Sequence, residues 1–210
     1  MKYKNETLFK QKGIRTNACK INIEKLNSLI EIFENEIDVK NPTKVFDLWV
    51  KNNFDTKYTL ELLESVIVKF GEGHRIWGRF KGYYETQISD INNVLIDAYE
   101  AKDAGINELL EKIQQIKGLG GLSYSTKMAR FFNNQYVVLD SILRDELNIT
   151  ENDYDSFFNL CEKIKIDLKN KFEIERNTSQ IESAIFTWIQ IINPNQRRPR
   201  WIKYRAYFEC

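Results

Sequence analysis

Along most of this chain apolar residues recur three and four positions apart with polar residues between them, the spacing of helices that bury one face. From residue 23 onward the pattern is carried by Ile23, Leu26, Leu29, Ile30 and Phe33, with Asn22 placed to cap the helix. Asn41-Pro42-Thr43 predicts a break, after which Thr43 is positioned to cap a short helix bearing Val45, Phe46, Leu48 and Trp49. Residues 56–70 repeat the pattern through Leu60, Leu63, Ile67 and Phe70 before Gly71 ends it. Further helices are expected at 83–100, 107–116, 141–147, 151–171 and 179–192, with Thr150 as a cap and Asn193-Pro194 as a stop. Residues 1–21 are polar and basic without a clear period and read as an arm or irregular lead. No run shows strand alternation, so the expected class is all-α, with roughly nine or ten helices.

One stretch departs from this rhythm. Residues 71–82, GEGHRIWGRFKG, alternate glycines with aromatics, which predicts a loop too glycine-rich for a stable helix. Its Arg75, Arg79 and Lys81 make it a second candidate contact region, while Trp77 and Phe80 would equally suit a connector packed into a core.

Composition narrows the function. A chain of 210 residues with 42% hydrophobic content fits one compact helical domain or two small lobes sharing a core. No run is long and apolar enough to span a bilayer, and the first residues, MKYKNETLFKQKG, lack the apolar core of a secretory signal. A cytoplasmic monomer with no membrane partner is the expectation. Cys19, Cys161 and Cys210 are odd in number and far apart, and the single histidine, His74, cannot support a multi-histidine site. No metal and no cofactor is therefore expected, and His74 is read as structural or exposed.

The candidate chemistry lies in residues 116–140, IKGLGGLSYSTKMARFFNNQYVVLD. Gly118, Gly120 and Gly121 allow a tight turn with φ > 0 and bare backbone N–H groups that can approach a phosphate. Leu109, Leu110, Ile113 and Ile116 form the apolar face of a helix before the turn. After it, Ser123 or Ser125 is placed to cap a second helix whose Met128, Phe131 and Phe132 face inward. No acidic residue occurs between Lys112 and Leu139, so Lys112, Lys117, Lys127 and Arg130 give a positive local field to a chain of net charge +1.

This helix, glycine turn and helix at about residues 107–133 resembles the helix-hairpin-helix DNA glycosylases, most closely the 8-oxoguanine DNA glycosylase branch. Gly118-Leu119-Gly120 matches the family's hairpin, Lys127 its nucleophilic lysine, and Asp140 its aspartate. Lys117 stands where the family usually has proline, and the four-cysteine cluster of the endonuclease III-like branch is absent. The resemblance implies a two-lobed glycosylase-like fold acting on double-stranded DNA that contains a modified base. It also implies a mechanism in which Lys127 attacks the sugar C1′, Asp140 assists, and the Schiff base formed allows β-elimination at the abasic site. Backbone contacts would come from Gly118, Gly120, Gly121, Ser123, Ser125 and Arg130.

The closing stretch, NQRRPRWIKYRAYFEC, interleaves Arg197, Arg198, Arg200, Lys203 and Arg205 with aromatics. It suits DNA contact by Arg197, Arg198 and Arg200, and it equally suits a last helix that packs Trp201, Tyr204 and Phe208 on the core. Three functions fit these features: a glycosylase and abasic-site lyase for an oxidised base, or for a hypermodified viral base in antiviral defence; a non-catalytic helix-hairpin-helix DNA-binding module; and a helical interaction protein in which the glycine turn is only a tight corner.

Overall fold

The computed structural model describes residues 21–208 except 22, 148, 150–153 and 194. Apart from buried Ile21, the lead at residues 1–21 lies outside the described residues, as do the caps assigned to Asn22 and Thr150. The described residues form α-helices with no strand, as the apolar spacing predicts. They divide into two compact units, Ile37–Asp140 and the remainder.

The unit Ile37–Asp140 begins with α2 (Lys40–Lys51) and α3 (Thr56–Glu64), the latter capped by Asp55, whose side chain accepts the Lys57 N–H. The break expected at Asn41-Pro42-Thr43 does not occur, because Pro42 falls in the first turn of α2, where its missing N–H has no helical acceptor to lose. Thr43 lies inside α2 and donates its hydroxyl to the Val39 carbonyl. α3 runs into a π-helical segment, Ser65–Phe70, which stops at Gly71. Then come α4 (His74–Thr86), α5 (Ile88–Glu100), α6 (Ile106–Ile113) and α7 (Leu122–Phe132).

The loop expected at residues 71–82 is therefore largely helix. Trp77 and Tyr84 of α4 are buried seven residues apart, two turns along one face, while Gly78 and Gly82 fall on the exposed side. Burying two large aromatics offsets the roughly 1 kcal/mol that each interior glycine costs a helix.

An aromatic cluster ties α7 to the rest of this unit. Trp49 stacks on Phe132 at 6.0 Å with an interplanar angle of 11°, and Phe46, Phe54 and Tyr99 surround the pair. Asn92 organises the polar edge of the cluster: its Oδ1 accepts from Trp49 Nε1 at 2.8 Å and from Thr59 Oγ1 at 2.6 Å, and its Nδ2 donates to the Phe54 carbonyl. Every hydrogen-bonding atom of this buried amide is thereby engaged.

The second unit contains α1 (Ile23–Glu36), α8 (Ser141–Leu147), α9 (Tyr154–Phe172), α10 (Thr178–Ile192) and the short α11 (Pro199–Ile202), followed by a 3-10 turn, Arg205–Phe208. α10 is its central helix, packed by α1 and α9 and opened by a capping box between Asn177 and Gln180. Trp201 and Phe208 are buried, so the closing stretch packs two of its aromatics inward. Tyr204 donates to Glu36 Oε1 at 2.7 Å, Lys203 pairs with the same oxygen at 2.7 Å, and Arg205 Nε donates to the Ile191 carbonyl near the end of α10.

Candidate active site

The turn between α6 and α7 is set by one glycine more than by three. Gly118 has φ +93°, and a Cβ there would lie 2.5 Å from the Tyr84 hydroxyl and 2.7 Å from Phe80 Cδ2. Tyr84 donates that hydroxyl to the Lys117 carbonyl at 2.9 Å, so α4 supports the hairpin from beneath. Burial, with a smaller contribution from Tyr83, pushes the Tyr84 phenol up to about 12. Positive φ is not found at Gly120 or Gly121, contrary to expectation, and Gly121 is extended at φ −91°, ψ 147°. Both are exposed and leave the turn backbone open on that side, while Leu119 is fully buried beneath it.

α7 starts at Leu122, with no side-chain cap from either serine. Ser123 and Ser125 both lie inside the helix. Ser125 is fully buried, donates back to the Gly121 carbonyl and accepts from Gln114, so its hydroxyl is engaged within the unit. Arg130 is also buried, with its guanidinium carbon 5.4 Å from the centre of the Phe70 ring. Neither residue keeps the solvent-facing position that the hairpin reading gave it, because every residue from Ser125 to Arg130 of α7 is buried.

Lys127 and Asp140 do come together. Lys127 Nζ lies 3.8 Å from Asp140 Oδ2, and each residue is 8% exposed. The two positions are aligned by their neighbours, since the Leu139 N–H donates to Thr126 Oγ1 at 3.2 Å. Lys127 stands in the second turn of α7, and its side chain runs back toward the hairpin end, where Nζ donates to Ser123 Oγ at 2.9 Å. The ammonium also lies 5.1 Å from the centre of the Tyr124 ring.

Two further glycines enclose this pair. A Cβ on Gly71 would sit 3.2 Å from Lys127 Cδ, and one on Gly73 would collide with the Tyr124 hydroxyl. Glu72, between them, adopts φ +53°, a conformation uncommon for a residue with a side chain. The Tyr124 phenol is held above its usual range by burial first, then by the negative charges of Asp140 and Glu72. The site thus comprises an amine, a carboxylate, a phenol and a second carboxylate beside the turn. Tyr124 and Glu72 were not anticipated, although Tyr124, three residues before Lys127, shares its helical face and could have been found by that spacing.

The remaining residues assigned to DNA fall in two places. Arg197 and Arg198 are exposed before α11, and Arg200 lies within it, its guanidinium carbon 5.2 Å from the Trp201 ring centre. His74 is exposed at the start of α4. Cys161 is buried as a free thiol, whereas Cys19 and Cys210 lie outside the described residues. No helix among the described residues is long and apolar enough to cross a membrane, and no metal-binding cluster occurs among them.

Chemically, a buried amine beside a carboxylate is a set for attack on an electrophilic carbon. Compared with known protein families, with curated proteins and with solved structures, the chain matches none.

Proposed function

We propose that this protein is a DNA glycosylase with abasic-site lyase activity, acting on duplex DNA that carries an oxidised or otherwise modified base. The observation that carries the reading is the 3.8 Å approach of Lys127 Nζ to Asp140 Oδ2, directly behind a turn that exposes the backbone of Gly120 and Gly121. A surface lysine and a helix-flanking aspartate have no need of this shared burial, because desolvating two charges costs more than an exposed pair returns.

The steps follow from the atoms present. The turn N–H groups hold a phosphate, and the modified nucleotide leaves the stack to reach the amine. Attack requires the neutral amine, so Nζ gives up a proton, for which the Asp140 carboxylate is the acceptor. The lysine nitrogen then bonds to C1′ as the bond from C1′ to the base breaks. The departing base takes up the proton that Asp140 accepted, and the carboxylate so restored faces the positive charge on the sugar. Ring opening leaves an iminium between Lys127 and C1′, loss of a C2′ proton expels the 3′ phosphate, and water releases the lysine.

Incubation with duplexes containing candidate lesions, followed by borohydride reduction, tests this directly. Covalent trapping by the parent and its loss in Lys127→Ala, with thermal melts showing both folded, is the expected result. Equal trapping by Lys127→Ala would remove the nucleophile from this reading. Binding without trapping on any lesion would leave a helix-hairpin-helix module that holds DNA for another protein.

A further inference from the structure

α4 has an exposed face that its own fold does not explain. Arg75 and Arg79 stand one turn apart on it, both exposed and without an ion pair among the described residues. Tyr83 continues the row one turn further, and Lys117 of the hairpin lies over its ring, with Nζ 5.5 Å from the centre. A basic row therefore runs from the start of α4 to the turn before α7. On α6 the exposed charges are the acids Glu108 and Glu111, beside a half-buried Lys112, so the exposed positive charge is specific to the α4 side.

The charges of α4 also oppose its own dipole. Arg75 sits in the first turn, where an acid would stabilise the helix, and Glu85 sits in the last turn, where a base would. Between the arginines and beyond them, Gly78 and Gly82 have no atom within 4 Å of a would-be Cβ, so internal packing does not require glycine at either position. Helix stability would favour other residues at all four positions.

We infer that the face of α4 bearing Arg75 and Arg79, continued by Lys117, is a second docking surface for the phosphate backbone of duplex DNA. Charge complementarity carries the assignment, and the glycines make the surface low enough for a backbone to approach. A duplex fits better than a single strand because the aromatics of α4 are not available to stack on bases: Trp77 and Tyr84 are buried, Phe80 packs against Gly118, and Tyr83 is covered by Lys117. This inference extends the DNA partner of the proposed function and does not depend on the chemistry at Lys127.

The test is fluorescence anisotropy of the full chain with an undamaged duplex over a salt series, for the parent, Arg75→Ala/Arg79→Ala and the control Lys44→Ala, an exposed residue on α2. The double variant is expected to bind about tenfold more weakly at low salt, with the slope of log affinity against log salt reduced by about two; the control should match the parent. An unchanged slope in the double variant would overturn the assignment, as would failure of the parent to bind duplex at low salt. Tighter binding to single-stranded RNA of equal length would also overturn it. Salt-dependent duplex binding that requires Arg75 and Arg79, without borohydride trapping on any lesion, would sustain this surface while removing the glycosylase reading.

Discussion

Thr126 accepts the backbone N–H of Leu139 at 3.2 Å, and that bond joins the two segments at the residues next to Lys127 and Asp140. The threonine hydroxyl is itself directed by the helix, donating to the Leu122 carbonyl at 2.6 Å. Thr126→Val keeps the shape and removes the acceptor, leaving the buried Leu139 N–H unpaired at a cost of about 1–3 kcal/mol. The expected outcome is a lower melting temperature and trapping reduced by about tenfold to a hundredfold, since reacting groups lose their alignment. Thr126→Ser should restore both, and equal trapping by the valine variant would show that this bond does not set the pair.

The glycines of the turn are expected to separate by role. Gly118→Ala forces a side chain into positive φ and against Tyr84 and Phe80, so it should destabilise by at least about 1–2 kcal/mol in chemical denaturation. Gly120→Ala meets nothing nearer than 3.7 Å and Gly121→Ala nothing within 4 Å, so both should melt with the parent. Their effect should appear in duplex affinity instead, because each adds a methyl group to the open side of the turn. A destabilised Gly121→Ala would contradict this division.

How far the sequence discloses this molecule depends on which side of a helix decides the matter. The helices with an apolar stripe are legible because burial imposes the period, whereas Lys127 and Asp140 are singled out by the family resemblance, to which the structure adds their approach to 3.8 Å. α4 is hidden because Gly78 and Gly82 suggest a loop, and only the packing of Trp77 and Tyr84 in three dimensions overrides them. Ser125 and Arg130 read as surface residues because polar side chains usually are, yet α7 is covered on nearly every side along its second half. The π-helical turn at Ser65–Phe70 leaves no mark in the periodicity, since one widened turn shifts the apolar pattern by a single position.

On α4, substitution should reverse the usual direction of mutational effects. Gly78→Ala and Gly82→Ala each remove a flexible residue from an exposed helix interior where nothing obstructs a methyl group. Each is expected to stabilise the protein by about 1 kcal/mol, read as a shift of the denaturation midpoint. If the face docks DNA, the same variants should bind duplex more weakly than the parent. A loss of stability would mean that α4 needs these glycines for a reason other than its exposed surface.

Two tyrosines and a glutamate give the pH dependence of stability its sign. Burial pulls Glu36 upward, but hydrogen bonds from Lys203 and Tyr204 and the charges of Lys203 and Arg200 outweigh it and bring the carboxyl below its ordinary 4.5. Its contribution is therefore complete above about pH 4.5 and is lost as the pH falls through the lower folded value. Tyr84 acts at the other extreme: burial first, then Tyr83, raise it from 10.0 to about 12, so the stability it lends is complete below pH 10 and is lost as the pH rises toward 12. Tyr204, raised chiefly by its hydrogen bond to Glu36, works in the same alkaline direction. Denaturation midpoints across pH should accordingly fall at both ends, with Glu36→Gln flattening the acid limb and Tyr84→Phe the alkaline one. An acid limb as steep in Glu36→Gln as in the parent would assign it to other carboxylates. Tyr84→Phe should in addition lower the plateau near neutral pH, because the Lys117 carbonyl loses its donor, which distinguishes the hydrogen bond from the titration.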